Sequence, residues 1–392
     1  MTQATDNYPR ALLLSAYDAQ SHRYWRRQLC QGLPDWQWTE LSLPPRYFSW
    51  RQRGNSLSWA FKQRDILTQD YEFLLATSMV DLSALRGFVP ELARLPTVLY
   101  FHENQFAYPQ STRQHSPVEP QLTSIYSALC ADSILFNSQF NLDSFMAGAR
   151  ALLKAMPDHV PKGLMEQLSE RARVLPVPIS PYVSKVPNSA QVRRHEKALR
   201  ILWNHRWEYD KGPERLLAAI ERLDRQLKSL PEQERPDIRW LILGQSFRNV
   251  PEEFAQIQRI LTASDSPMAL EAWGYEPCVH SYQSHMHSAD VVLSTAEHDF
   301  QGLAILEAQA EGCYPLLPKR LVYPEWFDES LCYPSSTIAH EAEGLAAEIC
   351  KLAAHKIQQG KLPEVVSRVD FDWSALGPDY QRTFHSLRKK PV

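Results

Sequence analysis

Residues Ala289 to Gly312 read ADVVLSTAEHDFQGLAILEAQAEG. Ala289–Thr295 is a continuous apolar run of strand length, which predicts a strand buried on both faces of a parallel sheet. Polar residues follow, and from Gly302 the spacing turns helical. Leu303, Leu306 and Ala310 recur on one face, and Gly312 stands where a glycine stops a helix. Glu307 falls on that apolar stripe, where a carboxylate is costly unless something satisfies it. Asp299 lies at the mouth of the strand, where open α/β sheets bind ligands. One acid on the loop and one on the helix suit a polyhydroxylated ligand held across the strand end. The alternative is a Glu307 paired with an Arg or Lys of a neighbouring element.

Outward from this stretch the same alternation repeats. Strands are predicted at Leu199–Asn204, Ile238–Gly244, Met268–Trp273 and Tyr314–Leu317. Helices are predicted at Pro213–Leu227, Glu252–Leu261, Val279–His287, Gly302–Glu311 and Ala339–His355. The first half gives strands at Ala11–Ser15, Phe73–Thr77, Thr97–Phe101 and Ser133–Asn137. Its helices fall near His22–Cys30, Glu119–Cys130 and Gln139–Lys154. Val174–Ile179 is extended but too rich in proline for the middle of a sheet. Ser180–Lys197 is polar and proline-spaced, as an interdomain linker would be. Two successive β/α alternations in 392 residues predict an α/β protein of two doubly wound, Rossmann-like parallel-sheet domains facing a cleft. The boundaries are 1–185 and 195–372, with a terminal helix at 373–392 packing back on the body.

Composition narrows the class. With 44% hydrophobic and 22% charged residues the chain reads as a soluble globular protein. No run approaches the length of a membrane span, and the opening MTQATDNYPR lacks a signal-peptide core, so a cytoplasmic, non-membrane protein is expected. The six cysteines show no CxxC spacing and predict reduced thiols. A net charge of −3 gives no general attraction to polyanions, so any such site is local.

Three clusters could carry chemistry. In WNHRWEYDKGPERLL, Arg206 and Lys211 lie between a strand and a helix opened by Gly212-Pro213. Cations beside a helix N-terminus suit a diphosphate and stabilise it as a leaving group. The alternative is a solvated loop paired with Glu208, Asp210 and Glu214. His102-Glu103-Asn104-Gln105 follows Thr97–Phe101 directly, and His102 there could donate to a sugar hydroxyl or a developing charge. Leu41–Arg64, LSLPPRYFSWRQRGNSLSWAFKQR, holds Arg46, Arg51, Arg53, Lys62 and Arg64, no acid, and five interleaved aromatics including Trp50. Cations for phosphates and rings for unstacked bases compose an RNA contact surface. The alternative is an amphipathic connection whose aromatics are core. Asp370-Phe371-Asp372 follows no strong strand, and His280, His285 and His287 fit a helix surface, so no metal site is expected. A glycine-rich phosphate loop is absent after the first strand, which disfavours a Rossmann dehydrogenase.

Arg206 with Lys211-Gly212, and Asp299 with Glu307 separated by seven residues in DFQGLAILEA, resemble the retaining GT-B glycosyltransferases of family 4. That resemblance implies that Arg206 and Lys211 bind the donor diphosphate, Asp299 the donor sugar and Glu307 the ribose, with Phe300 and Gly302 lining the donor site. Asp299 stands where the family has Glu, which shortens its reach. SAYDAQSHRYW, LYFHENQFAYP, FNSQFNLDSFM, MPDHVPKG, WNHRWEYDKGPE, STAEHDFQGLAILEA and GCYPLLPKRLVYPE together resemble the tRNA-queuosine alpha-mannosyltransferase family. The implied reaction moves mannose from the donor GDP-mannose to queuosine at the wobble position of tRNA-Asp, with no metal or other cofactor. His102, Asp299, Arg206 and Lys211 are the expected catalytic residues. Arg46, Trp50, Arg51, Arg53, His22, Glu103 and Asn104 are expected on the tRNA side. The rival readings are a family-4 transferase with a small-molecule or lipid acceptor, and a noncatalytic RNA-binding relative.

Overall fold

Six strands of the first unit lie parallel: β1 (Arg10–Ser15), β2 (Gln37–Ser42), β3 (Phe73–Thr77), β4 (Thr97–Phe101), β5 (Ser133–Phe136) and β6 (Ala172–Val174). They run in the order β2-β1-β3-β4-β5-β6 in a computed structural model that describes residues 8–107, 118–179 and 197–387. β3 and β4 are buried along their whole length, because helices cover both faces and the apolar runs have no polar side to show. β6 stops at Val174 on the sheet edge, and the proline-rich stretch after it leaves the ladder, as a chain short of N–H donors must.

The second sheet repeats the plan with β7 (Leu199–Asn204), β8 (Ile238–Leu243), β9 (Ala269–Gly274), β10 (Val291–Leu293), β11 (Tyr314–Pro318) and β12 (Cys332–Tyr333), in the order β12-β11-β10-β7-β8-β9. β10 is three residues long, shorter than its apolar run: Ala289 caps the preceding helix, and Thr295 has turned its hydroxyl to Trp203 and Lys211. Gly312 has φ +90° two residues beyond the helix Leu303–Ala310, a left-handed turn that ends it.

The chain divides into residues 1–178 with 370–392, and residues 179–369. The helix Trp373–Ser386 therefore belongs to the first unit. Its Tyr380 is fully buried, receives the Trp25 indole N–H at 3.1 Å and donates to the Pro176 carbonyl at 3.0 Å. The expected linker lies, apart from Lys197, outside the described residues, as do Tyr108 and Pro109 of LYFHENQFAYP. Spacing missed β2, β12 and the helices Phe48–Lys62, Leu82–Phe88 and Leu164–Arg171.

Candidate active site

Strand order in the second sheet reverses between β10 and β7, so the loops leaving their carboxyl ends are neighbours at a ligand-binding switch point. These loops, 205–212 and 294–302, are stitched by backbone. The N–H groups of Glu297 and His298 both donate to the Asp210 carbonyl, at 2.9 and 3.1 Å. Gly212 has φ +64°, and a Cβ there would lie 2.2 Å from the Thr295 carbonyl oxygen, so only glycine permits this approach. Pro213 then opens the helix Pro213–Lys228 at its first position, where no N–H is needed.

The two predicted cations sit on this seam in different environments. Lys211 is buried: its Nζ donates to the His298 carbonyl at 2.6 Å and lies 3.5 Å from Asp210 and 3.9 Å from Asp299. Arg206 is exposed, paired with Glu208 and 3.4 Å from Asp210. The loop charges thus pair internally with Glu208 and Asp210, while Arg206 remains on the surface, where an arriving anion can draw it over. Burial alone would raise the Asp210 carboxyl; Lys211, His298 and Arg206 outweigh it and hold the group well below the usual carboxylate range. Burial opposes ionisation of Asp299 too, but Lys211, His205 and the Tyr323 hydroxyl lower it. Burial and Lys211 push His205 down to about 4, against the pull of Asp299 and Asp210. At neutral pH Asp210 and Asp299 are therefore carboxylates and His205 is a neutral imidazole.

Asp299 accepts the Gly302 N–H on Oδ1 and the Tyr323 hydroxyl on Oδ2, both at 3.0 Å. Phe300 is buried, edge-on to His298 with ring centres 4.7 Å apart. Glu307 stands further along the helix, partly buried, and among the described residues its side chain forms no hydrogen bond or ion pair. The expected alternative, pairing with Arg or Lys, is absent among those residues. Burial, and secondarily Glu311, push its carboxyl up to about 7. An unsatisfied acid beside a switch point is suited to accepting hydroxyl donors from a ligand.

Spacing missed several of the site's supports. Arg320 donates to the Thr295 and Ala296 carbonyls at 2.9 and 2.8 Å while pairing with buried Glu341 at 2.6 Å. Asp210 reads in the sequence only as a loop counter-charge. Tyr323 lies within GCYPLLPKRLVYPE, yet nothing in that string places it against Asp299, twenty-four residues away.

In the first unit His102 and His22 are both buried and stack at 4.2 Å, with Trp25 edge-on to His102 at 4.7 Å. Among the described residues, His102 Nε2 and His22 Nδ1 have no hydrogen-bond partner. Burial, then His22, hold His102 neutral, well below its ordinary range. Glu103 is 3.5 Å from His22 Nε2. Asn104 differs from expectation. Its amide donates to Asn141 and Ser144 at 2.8 and 2.9 Å, and its oxygen accepts the Phe106 and Ala107 N–H groups. Those bonds make Asn104 a pin for the loop rather than an acceptor contact.

Leu41–Arg64 divides between the two readings given for it. Most of it is the helix Phe48–Lys62, with Trp59 in the core at 2% exposure and Phe48 edge-on to Tyr17. Trp50 is 54% exposed, and Tyr47 and Phe61 more so. Arg46 is exposed over the Tyr47 ring, and the Arg51 side chain donates to the Pro44 carbonyl at 3.4 Å. Arg53 is exposed, yet it lies 3.1 Å from the fully buried Asp81 and 3.5 Å from Glu119, and so also ties the helix to the body of the unit.

Asp372 caps the terminal helix through the Ser374 N–H at 2.7 Å. His287 is not on a helix surface: it is buried and 2.5 Å from Glu311. Among the described residues no group of three or more His, Cys, Asp or Glu side chains is placed to hold a metal ion. Nor, among them, is any helix long and apolar enough to cross a membrane.

Comparison with known proteins gives the same picture at two depths. Over 97% of this chain and 99% of that one, the sucrose-phosphate synthase of Thermosynechococcus elongatus superposes with a TM-score of 0.68 at 14% identity. An alpha,alpha-trehalose-phosphate synthase (UDP-forming) from Burkholderia xenovorans, solved with glucose-6-phosphate, gives 0.63 at 14% identity over 96% of this chain and 100% of that one. At such identity the likeness shows the fold alone, which is GT-B. The family described as tRNA-queuosine alpha-mannosyltransferase N-terminal matches residues 10–179. A Drosophila melanogaster protein named tRNA-queuosine alpha-mannosyltransferase is 33% identical over 336 residues, 84% of each chain. Identity of that extent, too long for either sheet alone, places this chain in the tRNA-queuosine alpha-mannosyltransferase family of glycosyltransferases.

Proposed function

We propose that the protein transfers mannose from GDP-mannose to queuosine at the wobble position of tRNA-Asp. The observation that carries the reading is the seam itself: Lys211 and surface Arg206 at a helix start, beside Asp299 and the unpaired Glu307, in a chain whose relative bears that name. Arg206 and Lys211 would take the donor diphosphate, Glu307 the ribose hydroxyls and Asp299 the sugar side. As the bond from sugar C1 to phosphate breaks, its electron pair leaves with the diphosphate, whose charge the two cations meet. The acceptor hydroxyl attacks from the same face, and its proton passes to the departing phosphate oxygen, so the anomeric configuration is retained. His102, neutral and with an unused ring nitrogen, suits a hydrogen bond to a sugar hydroxyl. No resident cofactor is needed in this scheme. The helix Phe48–Lys62, with Arg46, Arg51 and Trp50 outward, would receive the anticodon arm, and a cytoplasmic location follows from a tRNA substrate.

The test is reconstitution. Purified protein, GDP-mannose and queuosine-containing tRNA should yield a nucleoside heavier by one hexose in mass spectrometry, absent when either substrate is omitted. Donor turnover with unchanged tRNA would favour a different acceptor. Failure to bind any sugar nucleotide would favour the noncatalytic relative.

A further inference from the structure

Asp299 is one methylene shorter than the glutamate its motif resembles, and both its oxygens are already occupied. Oδ1 takes the Gly302 N–H, and Oδ2 takes the Tyr323 hydroxyl, each at 3.0 Å. Tyr323 is fully buried, and its hydroxyl also meets Ser294 Oγ at 2.6 Å. Lys211 lowers the carboxyl of Asp299 despite its burial, so the acid is an acceptor only. The tyrosine proton must then point at Asp299, and Ser294 must donate to the tyrosine oxygen. Ser294 Oγ in turn accepts the Ala296 N–H at 3.2 Å. The directions are fixed along the whole line: Ala296 N–H to Ser294, Ser294 to Tyr323, Tyr323 to Asp299. Every donor in it comes from the end of β10 or from the segment after β11.

We propose that Tyr323 is a positioning residue of the donor site, whose hydroxyl substitutes for the length that Asp299 lacks. The hydrogen bond holds Oδ2 at 3.9 Å from Lys211, beyond a direct ion pair of good geometry. Lys211 thereby stays with the His298 carbonyl and Asp210 and keeps its charge available to a diphosphate. Without the hydroxyl, an ionised Asp299 has one neutral donor left and a lysine within reach, and the carboxylate should swing onto it. A longer acid at position 299 would carry its carboxylate toward the tyrosine oxygen, which already stands 3.0 Å from Oδ2, so it fits only if that oxygen is gone.

This rests on the donor reading given above, and a double-mutant cycle separates the two. Binding of GDP and GDP-mannose is measured by calorimetry, and transfer is measured by nucleoside mass, for the wild type, Tyr323→Phe, Asp299→Glu and the double variant. Tyr323→Phe should lower kcat/KM by on the order of tenfold to a hundredfold, the scale of one hydrogen bond to a charged group, with GDP-mannose affinity falling more than GDP affinity. Asp299→Glu alone should be similarly impaired. The double variant should be more active than either single one, a rescue that a merely structural tyrosine would not give. Near-wild-type transfer by Tyr323→Phe overturns the proposal and leaves the donor reading intact, as do losses that simply multiply in the double variant. Failure of the wild type to bind GDP-mannose overturns both.

Discussion

Glu307 shows how a single residue can set opposing demands on stability and binding. Its carboxyl sits at about 7 through burial and then Glu311, above the ordinary value of 4.5, so the folded state disfavours its charge. Stability from this group is therefore full below pH 4.5, is lost as pH rises toward 7, and stays lost above that. Glu307→Gln should raise the melting temperature at pH 8 and barely move it at pH 4.5. The gain should be on the order of 1–3 kcal/mol, since each tenfold change in proton affinity is worth ~1.4 kcal/mol. If the ionised form takes the ribose, GDP affinity should rise about tenfold from pH 6 to pH 8, and the glutamine variant should bind weakly at both. A flat affinity profile in the wild type would remove Glu307 from the nucleotide site. The two cations also part company. Arg206→Ala should cut turnover ~100-fold or more with little change in melting temperature. Lys211→Ala should do the same and also destabilise by about 3–5 kcal/mol, because it strands buried Asp210 without its buried ammonium. Equal thermal stability in the two variants would contradict that difference. These residues were legible as chemistry from type and spacing. Tyr323 and Arg320 were not, because they reach the site through folding back from β11, a contact no local pattern encodes.

At the level of elements, the helix Phe48–Lys62 was the least legible and carries the most exposed aromatic surface. It has no capping side chain at Tyr47, which itself adopts φ +56°, and its buried face is largely Gln52, Gly54, Asn55 and Ser56 rather than an apolar stripe. Period-based reading depends on such a stripe, so the segment showed its composition and hid its shape. β3, β4, β7 and β8, buried nearly throughout, were plain because unbroken apolar runs have few alternatives. Replacing Arg46 and Arg51 with Ala should raise the KM for tRNA and flatten its salt dependence by a slope of ~0.7–0.9 per contact. The melting temperature should hold. Arg53→Ala should behave differently and lower the melting temperature, since buried Asp81 then loses its cation. Trp50→Ala should cost ~1–3 kcal/mol of tRNA affinity with an unchanged salt slope if a base stacks on it. Undiminished tRNA binding by the Arg46/Arg51 double variant at low salt would move the acceptor surface elsewhere.

For the molecule as a whole, the repeated alternation made two α/β bodies readable, but not which of them owns the last helix. That ownership is decided by Tyr380 meeting Trp25, Tyr100 and Pro176, partners hundreds of residues away in sequence. A fragment ending at residue 178 should accordingly lack a cooperative melt, and adding a peptide of residues 370–392 should restore one. A cooperative melt in the bare fragment would show the helix to be dispensable. The order of synthesis gives this arrangement its sharpest edge. A ribosome releases the strands of the first unit early, yet delivers Tyr380 only after the entire second unit has emerged. Until then the Trp25 indole and the Tyr100 hydroxyl lack that partner, so the first unit cannot complete its packing before the second has been made. A premature stop codon just before Tyr380 would cripple the part of the protein that was made first.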